Sequence, residues 1–210
     1  MNKVKFVLLF FISIVCTSSY LPATNNDILR PKISVLFIGN SLTASNDLPQ
    51  LVENTAKQKG VVIKTKMIAF PNYAIMDHWN DGKIQKEIER NHYDFVILQQ
   101  GPSSQQDGRE ILIKFGKLYS DLCKDNDSKL VYFMVWPSLR YYHTFKDVIK
   151  NHKDAASIND AILCPVGEVW KKHFDATQNF DYYSSDGFHP SEKGSRKAAD
   201  IIVEYLLKNQ

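Results

Sequence analysis

The first third of the chain contains Ile33-Ser34-Val35-Leu36-Phe37-Ile38, followed at once by Gly39-Asn40-Ser41. A continuous apolar run of this length predicts a strand that is buried on both faces. The Gly-Asn-Ser sequence then predicts a tight turn, because these residue types favour turn conformations. Open α/β sheets place their reactive groups at the carboxyl ends of strands. Whether Ser41 is reactive or only part of a turn depends on the partners that the rest of the chain supplies.

Apolar and β-branched runs predict further strands, and apolar residues three or four apart predict helices between them. The predicted strands are 33–38, 61–69, 94–99, 130–135 and 161–166, and the predicted helices are 48–58, 83–91, 109–124, 145–155, 168–174 and 191–208. Asp47 is the expected N-cap of the first of these helices, and Gly60 is expected to end it. Alternating strands and helices indicate right-handed βαβ units, hence an α/β fold with a mostly parallel five-stranded sheet.

Size and composition point to one soluble domain with a full-sized core. The chain has 210 residues, of which 44% are hydrophobic and 23% charged, and its formal net charge is +3. The lysines are scattered among acidic residues rather than clustered, so the sequence does not indicate a nucleic-acid partner.

The N-terminus has the pattern of a signal peptide at residues 1–19. Lys3 and Lys5 form a basic segment, residues 6–15 form an apolar segment that is short for a membrane span, and small residues follow. Residues 20–32 are then a lead-in, and residues 33–210 form a single domain. We expect a secreted, periplasmic or cell-envelope protein. Cys16 leaves open a lipoprotein that is attached to a membrane through this cysteine.

Two cysteines, Cys123 and Cys164, remain in the mature chain. An oxidising compartment permits a disulfide between them. Both lie in apolar segments, however, and the sequence therefore predicts two free thiols in the core.

The second informative stretch is Asp186-Gly187-Phe188-His189-Pro190-Ser191. An aspartate and a histidine three residues apart can meet across one tight turn, and Gly187 permits the bend. A nucleophilic serine needs a base within hydrogen-bond reach and a group that orients the base. Ser41, His189 and Asp186 can fill these three roles.

With these two blocks the chain resembles the SGNH (GDSL-like) hydrolases, a flavodoxin-like α/β esterase superfamily with a three-layer α/β/α architecture. The resemblance covers residues 33–207 and rests on Gly39-Asn40-Ser41-Leu42-Thr43 and on the block from Asp186 to Ser191. It implies that Ser41 is the nucleophile, that His189 is the general base and then the acid, and that Asp186 orients the histidine. It also implies ester hydrolysis without a metal or an organic cofactor.

Two other blocks depart from the family pattern. The family usually has a glycine after the second strand, whose N–H points at the oxyanion, whereas this chain has Phe70-Pro71-Asn72-Tyr73. Proline has no N–H, so Asn72 or Tyr73 would have to donate. After the third strand the family usually supplies an asparagine side chain, and here Gln100, or alternatively Gln99, could replace it. The resemblance thus implies an oxyanion hole of Ser41, Asn72 and Gln100.

The expected function is hydrolysis of a carboxylic ester, with short-chain acyl or O-acetyl esters of carbohydrates as candidate substrates. The changed oxyanion blocks leave open a weakly active or inactive binding module for a glycan or a lipid head group. Tyr141-Tyr142-His143 and Tyr182-Tyr183 could stack on a sugar ring or pack the loops. His78 could line the cleft or be structural, and the remaining histidines show no metal-ligand spacing.

Overall fold

The computed structural model of the protein describes residues 32–210. The predicted signal peptide, residues 20–31 of the lead-in and Cys16 lie outside the described residues. Export and lipid attachment therefore stay predictions from the sequence.

The sheet has five strands, all parallel, in the order β2-β1-β3-β4-β5. The strands are β1 (Lys32–Gly39), β2 (Val62–Ala69), β3 (Phe95–Leu98), β4 (Lys129–Phe133) and β5 (Ile162–Cys164). The predicted α/β fold is confirmed. In the register of this sheet Gly39 pairs with Ala69, and Ile38 pairs with Leu98. The carboxyl ends of β1, β2 and β3 therefore lie side by side, and the loops that follow them meet around Ser41.

Eight α-helices lie among the described residues. They are α1 (Ser41–Ala44), α2 (Leu48–Gln58), α3 (Ile75–Asn80), α4 (Lys83–Arg90), α5 (Gln106–Asp125), α6 (Phe145–Ile158), α7 (Val166–Thr177) and α8 (Glu192–Lys208). Two 3₁₀ segments, Ser45–Asp47 and Leu139–Thr144, precede α2 and α6.

The helices cover both faces of the sheet and form two apolar cores. Alternate residues of β1 point to opposite faces, as strand geometry requires. Val35 and Phe37 pack with α2, α7 and α8, whereas Leu36 and Ile38 pack with α3, α4 and α5. This is the three-layer α/β/α arrangement, and every strand contributes to a core on one face or the other.

The start of α2 differs from the sequence prediction. Asp47 is not the side-chain N-cap that we expected: its backbone is left-handed, with φ of 50°, and its carboxylate makes no capping hydrogen bond. The chain is already helical from Ser41 onward, so Asp47 lies in a sharp junction between two helical segments. The end of α2 agrees with the prediction, since Gly60 has a left-handed φ of 80° and the Val61 N–H donates to the Ala56 carbonyl at 3.0 Å.

Cys123 and Cys164 are buried and are not joined in a disulfide, as the sequence predicted. Burial raises the pKa of the Cys123 thiol to about 12 and also raises that of Cys164. Both thiols are therefore protonated core side chains. Among residues 32–210, no helix is long and apolar enough to span a membrane, and no group of three or more potential metal-ligating side chains is found.

Candidate active site

Ser41 is the first residue of α1, and one residue separates it from the end of β1. The preceding Asn40 caps this helix, because its Oδ1 accepts a hydrogen bond from the Leu42 N–H at 3.1 Å. Its Nδ2 donates to the Tyr73 carbonyl at 3.0 Å. Asn40 thus shapes the serine turn and joins it to the loop after β2.

The peptide unit between Gly39 and Asn40 is held at both of its polar ends. The Gly39 carbonyl accepts hydrogen bonds from His78 Nε2–H at 2.7 Å and from the Phe70 N–H at 3.2 Å. The Asn40 N–H donates to Gln99 Oε1 at 2.9 Å. Loops that follow β2 and β3 therefore fix the orientation of the peptide immediately before Ser41.

Gln99 Oε1 accepts a second hydrogen bond from Thr43 Oγ1 at 2.9 Å. A Cβ atom at Gly39 would lie only 2.6 Å from the same Gln99 oxygen. Glycine is therefore required at this position by close packing, although its φ is not left-handed.

The structure brings the three candidate catalytic side chains into one chain of contacts. His189 Nε2 lies 3.0 Å from Ser41 Oγ, and His189 Nδ1 lies 2.6 Å from Asp186 Oδ2. Because the carboxylate can only accept, Nδ1 carries the proton and the Nε2 lone pair faces the Ser41 hydroxyl. This is the tautomer in which a histidine can take a proton from a serine.

Asp186 is fixed by several donors. Its Oδ1 accepts from the Ser184 hydroxyl at 2.7 Å, the Phe188 N–H at 2.8 Å and the His189 N–H at 2.9 Å. The hydrogen bond from the His189 side chain, supported by those from Ser184 and the two N–H groups, holds the pKa of Asp186 well below its usual range. The carboxylate therefore stays ionised, which stabilises an imidazolium on His189.

The tight turn that carries Asp186 and His189 depends on Gly187. This glycine has a left-handed φ of 68°, a conformation that glycine adopts without the steric penalty of a Cβ. Its N–H donates to the Ser184 carbonyl at 3.0 Å, and the Ser184 N–H donates to the His189 carbonyl at 2.8 Å. The loop closes on itself through these two bonds and presents the imidazole to Ser41.

The candidate oxyanion donors differ in availability. The Ser41 N–H makes no hydrogen bond within residues 32–210. In the turn Phe70–Tyr73, the Tyr73 N–H is already bonded to the Phe70 carbonyl at 3.2 Å. Asn72 occupies the left-handed position of this turn, with φ of 63°, and its N–H makes no bond to the described part of the chain. Of the two alternatives after β2, Asn72 is therefore the one with a free N–H.

The two glutamines after β3 have different roles. Gln99 is 1% exposed, and its Nε2 is buried without a partner among residues 32–210. This excludes Gln99 as a donor to a substrate. Gln100 Oε1 accepts from the Ile75 N–H at 2.9 Å, an arrangement that leaves Nε2 free to donate.

The other candidate residues differ in their exposure to solvent. His78 is buried beneath the serine turn, where desolvation lowers its pKa, so it is a structural neighbour of the site rather than a residue of the cleft surface. Tyr182 and Tyr183 are core residues, whereas Tyr141 is 52% exposed.

Asn46 also belongs to the site, although the sequence does not indicate this. Its Nδ2 donates to the Pro190 carbonyl at 3.0 Å and to Ser195 Oγ at 2.9 Å. The segment after Ser41 is thereby tied to the segment after His189. An Asn-Asp pair between two helical segments is typical of residues with a left-handed backbone. No local sequence pattern indicates the hydrogen-bond partners of Asn46, because Pro190 and Ser195 are distant in sequence.

Comparison with solved structures finds the same architecture elsewhere. A protein assigned to the SGNH hydrolases, from Slackia heliotrinireducens, superposes with a TM-score of 0.72 and 21% identity over 84% of this chain and 100% of its own. The chain has the SGNH-hydrolase fold. A DUF4886 family protein from Bacteroides uniformis has a TM-score of 0.71 and 16% identity over 85% of this chain and 84% of its own.

A third structure with the SGNH fold is a family 3 carbohydrate esterase from Clostridium thermocellum. Its TM-score is 0.64 and its identity is 17%, over 85% of this chain and 97% of its own. Comparison with protein-family models and with curated proteins finds no match. The relationship to the SGNH fold is therefore visible in the backbone rather than in overall sequence identity.

Proposed function

We propose that this protein is a serine esterase that hydrolyses carboxylic esters through an acyl-enzyme on Ser41. The observation that carries the proposal is the 3.0 Å approach of His189 Nε2 to Ser41 Oγ, with Asp186 bonded to the opposite ring nitrogen. Nucleophile, base and orienting carboxylate are the minimum set for this chemistry.

In the proposed first step, Ser41 Oγ attacks the carbonyl carbon of the ester while His189 Nε2 takes the hydroxyl proton. Asp186 remains ionised and stabilises the imidazolium. The tetrahedral intermediate collapses, the alcohol leaves with the proton from His189, and the acyl group stays on Ser41. Water then attacks the acyl-enzyme with His189 again as base, which releases the carboxylic acid and restores Ser41.

The proposed oxyanion hole consists of the Ser41 N–H, the Asn72 N–H and Gln100 Nε2. The absence of competing hydrogen bonds to these three donors within residues 32–210 supports the assignment. Loss of one donor typically lowers kcat by about 10²–10³-fold. Asn72 in a left-handed turn position and Gln100 in a loop after β3 thus replace the glycine and asparagine that the family pattern predicts.

The proposed substrates are short-chain acyl or O-acetyl esters of carbohydrates. Two observations support this narrower assignment: a carbohydrate esterase is among the proteins with the same fold, and Tyr141 offers an exposed aromatic face near the site. The leader-like residues 1–19 support an exported enzyme, either secreted or retained in the cell envelope, with a lipid on Cys16 as the alternative form of attachment.

A fluorophosphonate probe, which reacts with activated serines, tests the proposal directly. We expect labelling of the wild-type protein and of a Ser157→Ala variant, in which an exposed serine of α6 is removed, but not of Ser41→Ala. The same three proteins are compared in hydrolysis of p-nitrophenyl acetate. A folded wild-type protein that is neither labelled nor active would overturn the esterase proposal and favour a binding module for a glycan or lipid head group.

A further inference from the structure

A cleft with a volume of about 1150 Å³ opens beside Asp186. Three segments line it: Pro102, Ser104 and Gln105 after β3, the 3₁₀ segment with residues Pro137 and Ser138 before it, and the turn from Ser185 to Phe188. Pockets for whole small molecules usually occupy about 300–1,000 Å³. The cleft is therefore far larger than a short acyl group requires.

The wall of this cleft is fastened to the loop that carries the candidate base. The Leu139 N–H donates to the Gly187 carbonyl at 2.7 Å, and Trp136 Nε1–H donates to the Phe188 carbonyl at 2.9 Å. Tyr183 Oη donates to the Pro137 carbonyl at 2.7 Å. These three bonds fix the cleft relative to His189, so a molecule bound in it is held at a defined distance from the reacting atoms.

The position of the cleft indicates which half of an ester it takes. In the proposed mechanism His189 gives its proton to the departing alcohol, so the alcohol half must lie on the histidine side of Ser41. Asp186, which lines the cleft, lies 2.6 Å from His189 Nδ1, so the cleft opens on the histidine side of Ser41, while neither Ser41 nor His189 itself is part of its lining. The cleft can therefore hold a bulky alcohol half of the ester.

The cationic side chain of the cleft is Arg140. The one acidic side chain of the cleft, Asp186, is saturated by His189, Ser184 and two N–H groups. Arg140 makes no ion pair and no side-chain hydrogen bond with any residue in 32–210. Its guanidinium lies 5.7 Å from the centre of the Tyr141 ring. A cation with no ion-pair partner among residues 32–210 therefore lies next to an exposed aromatic surface, which Leu139, 40% exposed, extends.

We propose that the cleft binds a sugar ring that carries a carboxylate, as the alcohol half of the ester. Arg140 binds the carboxylate, since a guanidinium matches a carboxylate in charge and in its two-pronged geometry. Tyr141 and Leu139 cover the apolar face of the ring. This inference rests on the proposed esterase function and adds the specificity-determining role of Arg140.

The test compares two substrates that differ only in the acidic group: an acetylated methyl glucuronide and the methyl glucoside acetylated at the same hydroxyl. We expect kcat/KM to favour the glucuronide by about tenfold or more, because the Arg140 guanidinium forms charge-assisted hydrogen bonds with its carboxylate. Arg140→Gln should remove the preference, mainly by raising KM for the glucuronide. Raised salt should weaken the preference in the wild-type protein.

Two controls make the result specific. Arg196→Gln changes an exposed arginine of α8 that lies outside the cleft, and it should leave the preference intact. Hydrolysis of p-nitrophenyl acetate, which lacks the sugar, should be the same in wild type and Arg140→Gln. Equal kcat/KM for the two sugars, in an enzyme that hydrolyses p-nitrophenyl acetate, would overturn the cleft assignment and leave the esterase proposal standing.

If no ester is hydrolysed, the esterase proposal fails. Calorimetry that compares the binding of methyl glucuronide with that of methyl glucoside still tests whether the cleft binds a carboxylated sugar. The cleft assignment is supported if the protein binds the glucuronide, Arg140→Gln loses this binding and Arg196→Gln retains it. No difference between the two sugars contradicts it.

Discussion

Asn46 Nδ2 donates a hydrogen bond to the Pro190 carbonyl at 3.0 Å, across 144 residues of sequence. Asn46 follows the helical turn that begins at Ser41, and Pro190 directly follows His189. The asparagine has a left-handed φ of 55°, and a second bond, to Ser195 Oγ, holds it at the start of α8. This contact couples the position of Ser41, the proposed nucleophile, to that of His189, its proposed base.

We expect Asn46→Gly to lower kcat by about tenfold or more, because small displacements of reacting groups have large effects on rate. Glycine retains the left-handed backbone but removes both hydrogen bonds. KM for p-nitrophenyl acetate should change little. Asn54→Gly, at an exposed position of α2, controls for the flexibility that glycine adds. An unchanged kcat in Asn46→Gly would show that the contact does not align the site.

Gln99 should contribute to both stability and rate. Gln99→Leu leaves the Asn40 N–H and the Thr43 hydroxyl without their shared acceptor in a buried place. We expect the free energy of unfolding to fall by about 1–3 kcal/mol and kcat to fall with it, since the peptide before Ser41 loses the hydrogen bond that holds its N–H. Urea unfolding and kcat are the measurements. Gln58→Leu, on the exposed end of α2, is the matched control, and equal behaviour of the two variants would contradict the prediction.

The burial of His152 predicts that the protein loses stability in acid. It is fully buried in α6, its Nδ1–H donates to the Val148 carbonyl at 2.8 Å, and its Nε2 has no partner among residues 32–210. Burial lowers its pKa to about 4. A histidine in the unfolded chain has a pKa of about 6.5. Between these two values the unfolded chain binds a proton that the folded chain does not.

The free energy of unfolding should therefore fall as the pH drops from about 6.5 to about 4, by up to about 1.4 kcal/mol per pH unit from this group. The lowered pKa of His78 acts in the same direction. His152→Leu should flatten the slope. Urea unfolding across this pH range is the measurement. A slope in His152→Leu equal to that of wild type would rule out His152 as the cause.

Gly116 in the middle of α5 should not tolerate alanine. A Cβ there would overlap Tyr132 Oη and lie 2.6 Å from Asn159 Nδ2. Tyr132 Oη cannot easily withdraw, because it donates to the Leu112 carbonyl at 2.7 Å. Helix propensity alone would favour alanine by about 1 kcal/mol, whereas overpacking costs about 1–3 kcal/mol.

We therefore expect Gly116→Ala to unfold at lower urea concentration than wild type. In a Tyr132→Phe background the same change should destabilise less, since the overlapping oxygen is gone. Gly101→Ala, at a position with no other atom within 4 Å of the added Cβ, is the control. Stabilisation by Gly116→Ala would mean that α5 can move away from the sheet.

The sequence predicted the existence of the five strands and their approximate positions along the chain, because long apolar runs such as 33–38 can be buried only in an element covered on both faces. It also predicted Ser41, Asp186 and His189 as partners, since few combinations of residue types support nucleophilic chemistry. Ends of elements were less accurate. Residues 94–99 were expected as a strand, whereas β3 is Phe95–Leu98, although the Asp94 and Gln99 N–H groups still donate to the Ser34 and Ile38 carbonyls of β1.

The contacts between loops that are distant in sequence were decided only by the tertiary structure. Gln99 and Gln100 are chemically identical neighbours, and the placement of β3 beside β1 buries the amide of one beneath the serine turn while the other faces the loop after β2. Tyr141 and Tyr142 divide in the same way between solvent and core. Local sequence determines which groups are present and their approximate secondary structure. Which of them meet depends on the parallel register of the sheet and on close packing of the helices against it, and these are properties of the whole chain.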